Sequence, residues 1–394
     1  SRRPTRRTGR TNRSGRRTNR TKKRKPEGIL GRIFAGLKAC FAAVVTAVAK
    51  IYRRNPKRFL IAVAVVIIAI IVIFAASIKP GSRMSTEGYE HISDYSSYVI
   101  ANGIDVSYAQ GEIDWKKIKA QGVDFAIVRA GFRDIEKGNL YEDEYFRANI
   151  KGAQQAGLAV GAYIYSQATS KAEAIEEAEY VLELVKGYDI DMPIVLDYET
   201  YDGGRLDNAI EEKQLSAKQL NSIALAFCRT IEDAGYQAAV YGNYDMLMHH
   251  LDGVSLSKQT GIWTAQYNTF AEFTGYFQYW QCSESLQLDG TESKYVDRDF
   301  WYVPVGETAY TFAQNADERT SLEDCKVTLK KDSYHYLGKP VKAKIKIKNG
   351  LRTLRKGRDY NVCYINNTSK GESYAVVTGV GKYKDTISLK FTIK

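Results

Sequence analysis

From Ala101 onward the chain alternates short apolar runs with longer stretches of helical periodicity. ANGIDVS, VDFAIVRAG, LAVGAYIYS, MPIVLDYET and YQAAVYGNY have the length and β-branched content of strands. Between them, DWKKIKAQG, YEDEYFRANIKGAQQAG, SKAEAIEEAEYVLELVKG and SAKQLNSIALAFCRTIEDAG repeat apolar residues at helical spacing. Three more strand-like runs, GIWTAQYN, FQYWQCS and YVDRDFWY, follow with little helix between them. Eight strands in about 200 residues, mostly separated by helices, predict a parallel α/β barrel that becomes irregular in its second half.

Two other patterns flank this region. Residues 59–78, FLIAVAVVIIAIIVIFAASI, run for twenty positions without a charge. That is the length of a bilayer-spanning helix, and too long and too far along the chain for a secretory signal. Arg53, Arg54, Lys57 and Arg58 precede it, so the positive-inside rule puts the N-terminus in the cytoplasm and the rest outside. Far downstream, VKAKIKIKN at 341–349 alternates strictly, with Val341, Ala343, Ile345 and Ile347 on one face and four lysines on the other. This predicts a half-buried strand of an antiparallel sheet.

The expected organisation is a basic cytoplasmic tail (1–28), a juxtamembrane amphipathic helix (29–54), a transmembrane helix (59–78) and a polar stalk (79–99). A catalytic barrel (100–304), a linker (305–324) and a small all-β module (325–394) follow. Charge supports the division. Residues 1–58 carry a net +19 and residues 326–394 a net +13, leaving −20 for the middle of a chain whose total is +12. The overall basicity therefore says nothing about the barrel. The tail cannot bury a core, and its candidate partners are anionic inner-leaflet lipid or nucleic acid. The lysine row of the last module makes anionic wall polymers its candidate partner outside the cell.

Within the barrel, chemistry belongs at the C-terminal ends of the strands. Asp105, Asp197, Glu199 and Asp297 fall there. Asp197 and Glu199 are two apart in IVLDYET, so they share a face, and their repulsion is expected to raise the Glu199 pKa. Tyr108, Tyr163, Tyr165, Tyr198, Tyr241, Trp263, Tyr267, Trp280 and Tyr295 crowd the same level. Carboxyls with aromatic walls suit a sugar and hydrolysis of its glycosidic bond. His91, His249, His250 and His335 have no metal-ligand spacing, and no P-loop or G-x-S-x-G is present, so no cofactor or metal is expected. The five cysteines contain no C-x-x-C; Cys325 and Cys363 are the pair to check for a disulfide.

Taken in order, GIDVSYAQGEIDW (103–115), FAIVRAGFRD (125–134), AGLAVGAYIYS (156–166), IVLDYE (194–199), AGYQAAVYGNY (234–244), IWTAQY (262–267), YWQCS (279–283) and VDRDFW (296–301) resemble the family 25 glycoside hydrolases, the Chalaropsis-type N-acetylmuramidases. The resemblance covers roughly residues 100–302. It implies cleavage of the β-1,4 bond between N-acetylmuramic acid and N-acetylglucosamine in peptidoglycan, for remodelling of the cell wall. Glu199 aligns with the family's general acid, and Asp105, Asp197 and Asp297 with its other active-site carboxylates. Tyr108, Tyr163, Tyr165, Tyr241, Trp263, Gln266 and Trp280 are the expected substrate-binding residues. Two positions depart from the pattern: Ile164 stands where the family often has His, and Arg298–Asp299 where it often reads Leu-Asn. The rival expectation is a catalytically silent peptidoglycan-binding protein on the same fold. The last module resembles the small Ig-like β-sandwich repeats of bacterial surface proteins, through Asp359–Tyr360, Asn366–Asn367, Gly371, Gly379, Gly381 and Tyr383.

Overall fold

Nine strands make the main sheet in the computed structural model, which describes residues 84–91, 98–305 and 319–394. They are β1 (Val99–Val106), β2 (Phe125–Arg133), β3 (Leu140–Glu142), β4 (Ala159–Ser166), β5 (Ile194–Tyr198), β6 (Ala238–Asn243), β7 (Gly261–Ala265), β8 (Tyr279–Leu286) and β9 (Val296–Val303). The order is β1-β9-β8-β7-β6-β5-β4-β2, and a β1–β2 pairing closes the ring, so eight strands form a barrel. Each neighbouring pair is parallel except those made by β9, which runs antiparallel to both β8 and β1. No helix separates β8 from β9, and a parallel return needs such a crossover. β3 is an antiparallel appendage of β2, where a helix is expected from the sequence. Tyr141 stacks there on Phe132, ring centroids 5.5 Å apart, and the helix starts only at Phe146.

Helices α1 (Trp115–Ala120), α2 (Phe146–Ala156), α3 (Lys171–Leu184), α4 (Arg205–Glu211), α5 (Ala217–Asp233) and α6 (Gly253–Leu256) fill the connections. Strand alternation produces two cores. Ile194, Leu196 and Tyr198 of β5 face outward and pack with Val181 and Phe227 of the helices. Val195 of the same strand faces the barrel interior with Phe125, Ile127, Trp263 and Trp301. Gly103 on β1 makes room for this interior, since a Cβ there would lie 2.2 Å from the Phe125 ring.

The expected transmembrane segment, tail and juxtamembrane helix lie outside the described residues. No helix among the described residues is long and apolar enough to cross a membrane. The described part of the expected stalk is docked, not free. Asn102 Nδ2 donates to the Met84 carbonyl (3.2 Å), and Glu90 N–H to the Thr269 carbonyl (2.7 Å). The His91 ring hydrogen-bonds the Tyr302 hydroxyl (2.9 Å), and Arg298 stacks over Tyr89.

The C-terminal region is a β-rich module of short strands: β10 (Thr320–Ser321), β11 (Lys326–Leu329), β12 (Ser333–Tyr334), β13 (Ile345–Asn349), β14 (Arg352–Thr353), β15 (Tyr360–Ile365), β16 (Gly371–Gly379), β17 (Tyr383–Lys384) and β18 (Thr386–Ile393). They form sheets β11-β13-β14, β12-β18-β16-β15 and β10-β17. The module begins at Thr320, five residues before the expected boundary, because β10 pairs with β17 and Leu322 is fully buried. The lysine-alternating strand is shorter than expected. Ladder pairing starts at Ile345, since Val341 N–H donates to the Asn367 carbonyl and Lys344 N–H to the Tyr334 hydroxyl instead. β13 is the centre of its sheet, with Lys348 opposite Lys326. Cys325 and Cys363 sit in different clusters, and the four described cysteines are all free and buried.

This module plugs the N-terminal end of the barrel. Cys363, Ile365, Tyr374 and Val376 join the interior cluster of Phe125, Ile127, Met192 and Trp301. Asn361 Nδ2 donates to the Ile190 carbonyl (2.6 Å), Asn366 N–H to Asp124 (3.1 Å), Gln237 Nε2 to the Thr386 hydroxyl (2.8 Å), and the Ser388 hydroxyl to the Pro304 carbonyl. A shared core predicts shared stability. Ile365→Ala, which removes a fully buried side chain, should cost about 2–5 kcal/mol. All four tryptophans belong to the barrel, so intrinsic fluorescence in a denaturant titration reports on it alone. The barrel transition should move to lower denaturant with this change in the module; an unmoved midpoint would show the two units to be energetically separate.

Candidate active site

The interior side chains change character toward the C-terminal ends of the strands. At the plugged end the layer is Ala101, Phe125, Ala159 and Val303; at the other it is acidic and aromatic. There a cleft of about 640 Å³ is lined by Asp105, Asp197, Glu199 and Asp297 together with Tyr108, Tyr163, Tyr165, Tyr201, Tyr241, Trp263 and Tyr267. Register explains the convergence. Asp105 on β1 is opposite Asp297 on β9, while Asp197 on β5 lies between Tyr165 of β4 and Tyr241 of β6. Glu199 follows directly after β5, on the side of Asp197.

Two expected substrate-binding residues lie elsewhere. Trp280 is fully buried on the outer face of β8, against Tyr89 and Phe300, with its indole N–H on the Gln266 carbonyl. Its neighbours Tyr279 and Gln281 face inward, so the two-residue period of the strand excludes Trp280. Gln266 turns back into its own loop and accepts the N–H groups of Glu272 (2.6 Å) and Phe273 (3.3 Å). Tyr198 also points outward, its hydroxyl on the Ala168 carbonyl, and Tyr295 is exposed beneath Lys294. Ile164 is buried on the outer face, away from the cleft.

Three residues not expected from the sequence complete the site. Arg129 lines the cleft and is braced by Asp143 (Nε–Oδ2, 2.8 Å), which also accepts the Tyr108 N–H (3.0 Å); its guanidinium lies 4.7 Å from the Tyr108 ring centre. A lone arginine inside the apolar run FAIVRAG was the available signal. Gln281 donates to Asp105 Oδ2 (2.8 Å) while its carbonyl accepts the hydroxyls of Tyr241 (2.9 Å) and Tyr267 (3.0 Å). Asp299 is fully buried and accepts Trp263 Nε1 (2.9 Å).

Burial dominates the electrostatics. It raises Asp105 well above the carboxylate range, with Asp297 and then Asp299 adding to the effect. Asp197 is likewise raised by burial and then by Glu199, while Arg129 opposes the shift. Glu199 is raised to about 7, first by burial and then by Asp297. The expected cause is therefore displaced: the Asp197–Glu199 repulsion falls on Asp197, which is the more buried of the two. Asp297 is raised to about 6 by burial and Glu284. A carboxyl titrating near 7 can hold a proton at neutral pH and deliver it to a leaving oxygen. Among the described residues, no cluster of His, Cys, Asp or Glu is arranged to hold a metal ion.

Part of the barrel is similar to known proteins. Residues 104–291 match the model of glycosyl hydrolases family 25. That match covers just under half of the chain, and this segment is similar to that family. The chain is 27% identical to the autolytic lysozyme of Clostridium acetobutylicum over 193 residues, 48% of this chain and 52% of that protein. It is 32% identical to lysozyme M1 of Streptomyces globisporus over 116 residues, 29% of this chain and 37% of that one. The chain thus spans about half or less of the length of these relatives. Among solved structures, the modular autolysin LytC of Streptococcus pneumoniae is 28% identical, with 52% of this chain and 47% of that one covered and a TM-score of 0.45.

The raised Glu199 carboxyl has a consequence for the barrel that needs no substrate. Its folded pKa, about 7, exceeds the ordinary 4.5, so the folded state holds an extra proton between those values. Stability from this group is full below about pH 4.5 and is lost as pH rises through about 7. Glu199→Gln carries no such dependence. Its melting temperature relative to wild type should therefore climb from pH 5 to pH 8; Glu177 and Asp191, also raised to about 7, cancel in the comparison. A constant difference across that range would rule out the raised pKa.

Proposed function

We propose that the protein hydrolyses the β-1,4 bond between N-acetylmuramic acid and N-acetylglucosamine in peptidoglycan, in remodelling the cell's own wall. The observation that carries this reading is the meeting of Asp105, Asp197, Glu199 and Asp297 in one aromatic-walled cleft, with Glu199 titrating near neutrality. Glu199 donates its proton to the leaving oxygen of the scissile bond. The ionised member of the remaining carboxyls at the anomeric carbon stabilises the oxocarbenium-like state or activates water. Tyr108, Tyr163, Tyr165, Tyr241 and Trp263 present ring faces and hydroxyls along the cleft, suited to the apolar faces and hydroxyls of a glycan. Arg129, beside Asp197 and stacked on Tyr108, orders the acidic wall without neutralising all of it. Autolytic and lysozyme relatives support the same substrate class.

Incubation of the protein with purified peptidoglycan should release new reducing ends at muramic acid. The rate should fall on an alkaline limb near pH 7, where Glu199 loses its proton. Glu199→Gln keeps the shape and removes the proton donor, so kcat should drop by about 10²–10⁴. Asp105→Asn should be severely impaired as well. Absence of new reducing ends, with a control muramidase active on the same walls, would leave a silent wall-binding protein.

The anchoring of this activity is part of the proposal. The apolar run at 59–78 spans the cell membrane once, with the basic tail inside and the family 25 segment outside. Protease added to intact protoplasts should remove the barrel and spare the Arg-rich tail. Protection of the barrel would reverse the topology.

A further inference from the structure

Glu199 lies one residue beyond the end of β5, past the last ladder pair, Tyr198 with Ser166 of β4. The loop between β4 and α3 holds the main chain there. Gln167 of that loop is 0% exposed and is not among the residues that line the cleft. Its Nε2 donates to the carbonyls of Glu199 (3.1 Å) and Ser166 (3.1 Å) and to the Tyr165 hydroxyl (3.3 Å). Its Oε1 accepts the Leu206 N–H (3.1 Å). These main-chain partners fix the orientation of the amide, because a carbonyl can only accept and an N–H can only donate.

The contact with Leu206 serves the next element. The first turn of a helix has N–H groups without partners inside the helix. Gly204, the cap of α4, has no side chain to offer, and Gln167 Oε1 takes one of these donors. Gly204 also leaves the space for it, since a Cβ there would lie 3.0 Å from Gln167 Oε1. One side chain thus ties the end of β4 to both ends of segment 199–206. Within that segment Thr200 and Tyr201 line the cleft beside the acid. The Tyr198 hydroxyl adds a second tie, on the Ala168 carbonyl (2.8 Å). The holding loop is itself anchored from behind. Ser166 donates to Glu177 (2.6 Å) and accepts the Ala168 N–H (3.2 Å), Arg205 donates to the Gln167 carbonyl (3.3 Å), and Thr169 N–H donates to Glu173 (2.8 Å).

We propose that Gln167 is a positioning residue, which fixes the main chain at Glu199 and thereby aims the proton-donating carboxyl at the scissile bond. It bonds the Glu199 carbonyl of the main chain, not the carboxyl. Side-chain rotamers depend on backbone dihedrals, so a held peptide at 199 restricts the directions open to the carboxyl. It also keeps that carboxyl in its buried place among Asp197 of β5, Asp297 of β9, Tyr165 of β4, Tyr241 of β6 and Tyr267 after β7. Gln167 is uncharged, so an apolar replacement reaches Glu199 through position alone. The inference rests on the muramidase reading for the role of Glu199 as acid.

Gln167→Met keeps the length of the side chain and removes its donor and acceptor. Its kcat on peptidoglycan should fall about 10- to 100-fold, the scale of a misplaced catalytic group, while KM stays within about threefold. The alkaline limb should move about one pH unit or more below its place near pH 7, because a released carboxyl meets more water. A second readout needs no substrate. The melting temperature of Glu199→Gln climbs relative to its parent from pH 5 to pH 8; in the Gln167→Met background this climb should flatten, as the folded pKa of Glu199 returns toward 4.5. Ile365→Ala, which destabilises the barrel from its far end, should leave limb and climb in place. An equally steep climb in the Gln167→Met background, or a loss carried by KM with the limb unmoved, overturns the proposal. The same shifts in Ile365→Ala overturn it too, since lowered stability would then be their cause. If Gln167→Met does not fold, Gln167→Ala, with room for water on the stranded carbonyl and N–H, faces the same outcomes. Failure of both to fold assigns Gln167 to stability alone and also overturns the proposal. A wild type inactive on peptidoglycan, with the climb flattened by Gln167→Met, would sink the muramidase reading and leave the positioning established.

Discussion

The desolvation of acids governs this cleft. Asp105, Asp197, Glu199, Asp297 and Asp299 gather toward one end of a barrel whose cleft is lined by a single cation, Arg129, and burial is the first cause of every upward shift among them. Five full charges in that space would repel one another through a medium of low polarity. The molecule responds with protons, in place of counter-ions, and with donors: Gln281 on Asp105, Trp263 on Asp299. An acid that holds its proton near pH 7 is a product of the same constraint. The chemistry and the electrostatic cost of the site are thus one feature, which a cation-rich cleft would abolish.

Such a site has to be held by its surroundings, because the acids themselves push apart. The barrel supplies that restraint through register. β9 inserts antiparallel between β8 and β1 and brings Asp297 and Asp299 against Asp105. Behind them the interior is packed with Phe125, Trp263 and Trp301, and the C-terminal module closes the opposite end with Ile365, Tyr374 and Val376. Residues 84–91 brace β9 from outside through Arg298, His91 and Tyr302. The module and the upstream segment therefore contribute to the stability of the strands that carry the acids.

Much of this was legible in the chain. Period-two alternation in IVLDYET places Asp197 and Glu199 on one face, and strand-helix alternation predicts a barrel with its acids at one rim. The eight strand segments match the eight barrel strands to within two or three residues at either end. The same alternation, applied to YWQCS, would have put Tyr279 and Gln281 inside and Trp280 outside; aromatic identity alone misdirected that assignment. In VKAKIKIKN the burial alternates as written, yet only its second half pairs in a ladder.

What the sequence determined by itself was the local periodicity, and with it which residues share a face and which acids stand at strand ends. Only the tertiary structure decided which of those faces meet. The antiparallel course of β9, the docking of the last module under the barrel and the pairing of Asp297 with Asp105 all join residues far apart in the chain. Their geometry is set by how the whole sheet closes and fills, since no local pattern encodes the partner. The same holds for charge. A carboxyl's type is written in the chain, but its proton depends on the water excluded from around it, and that exclusion exists only once the barrel has closed.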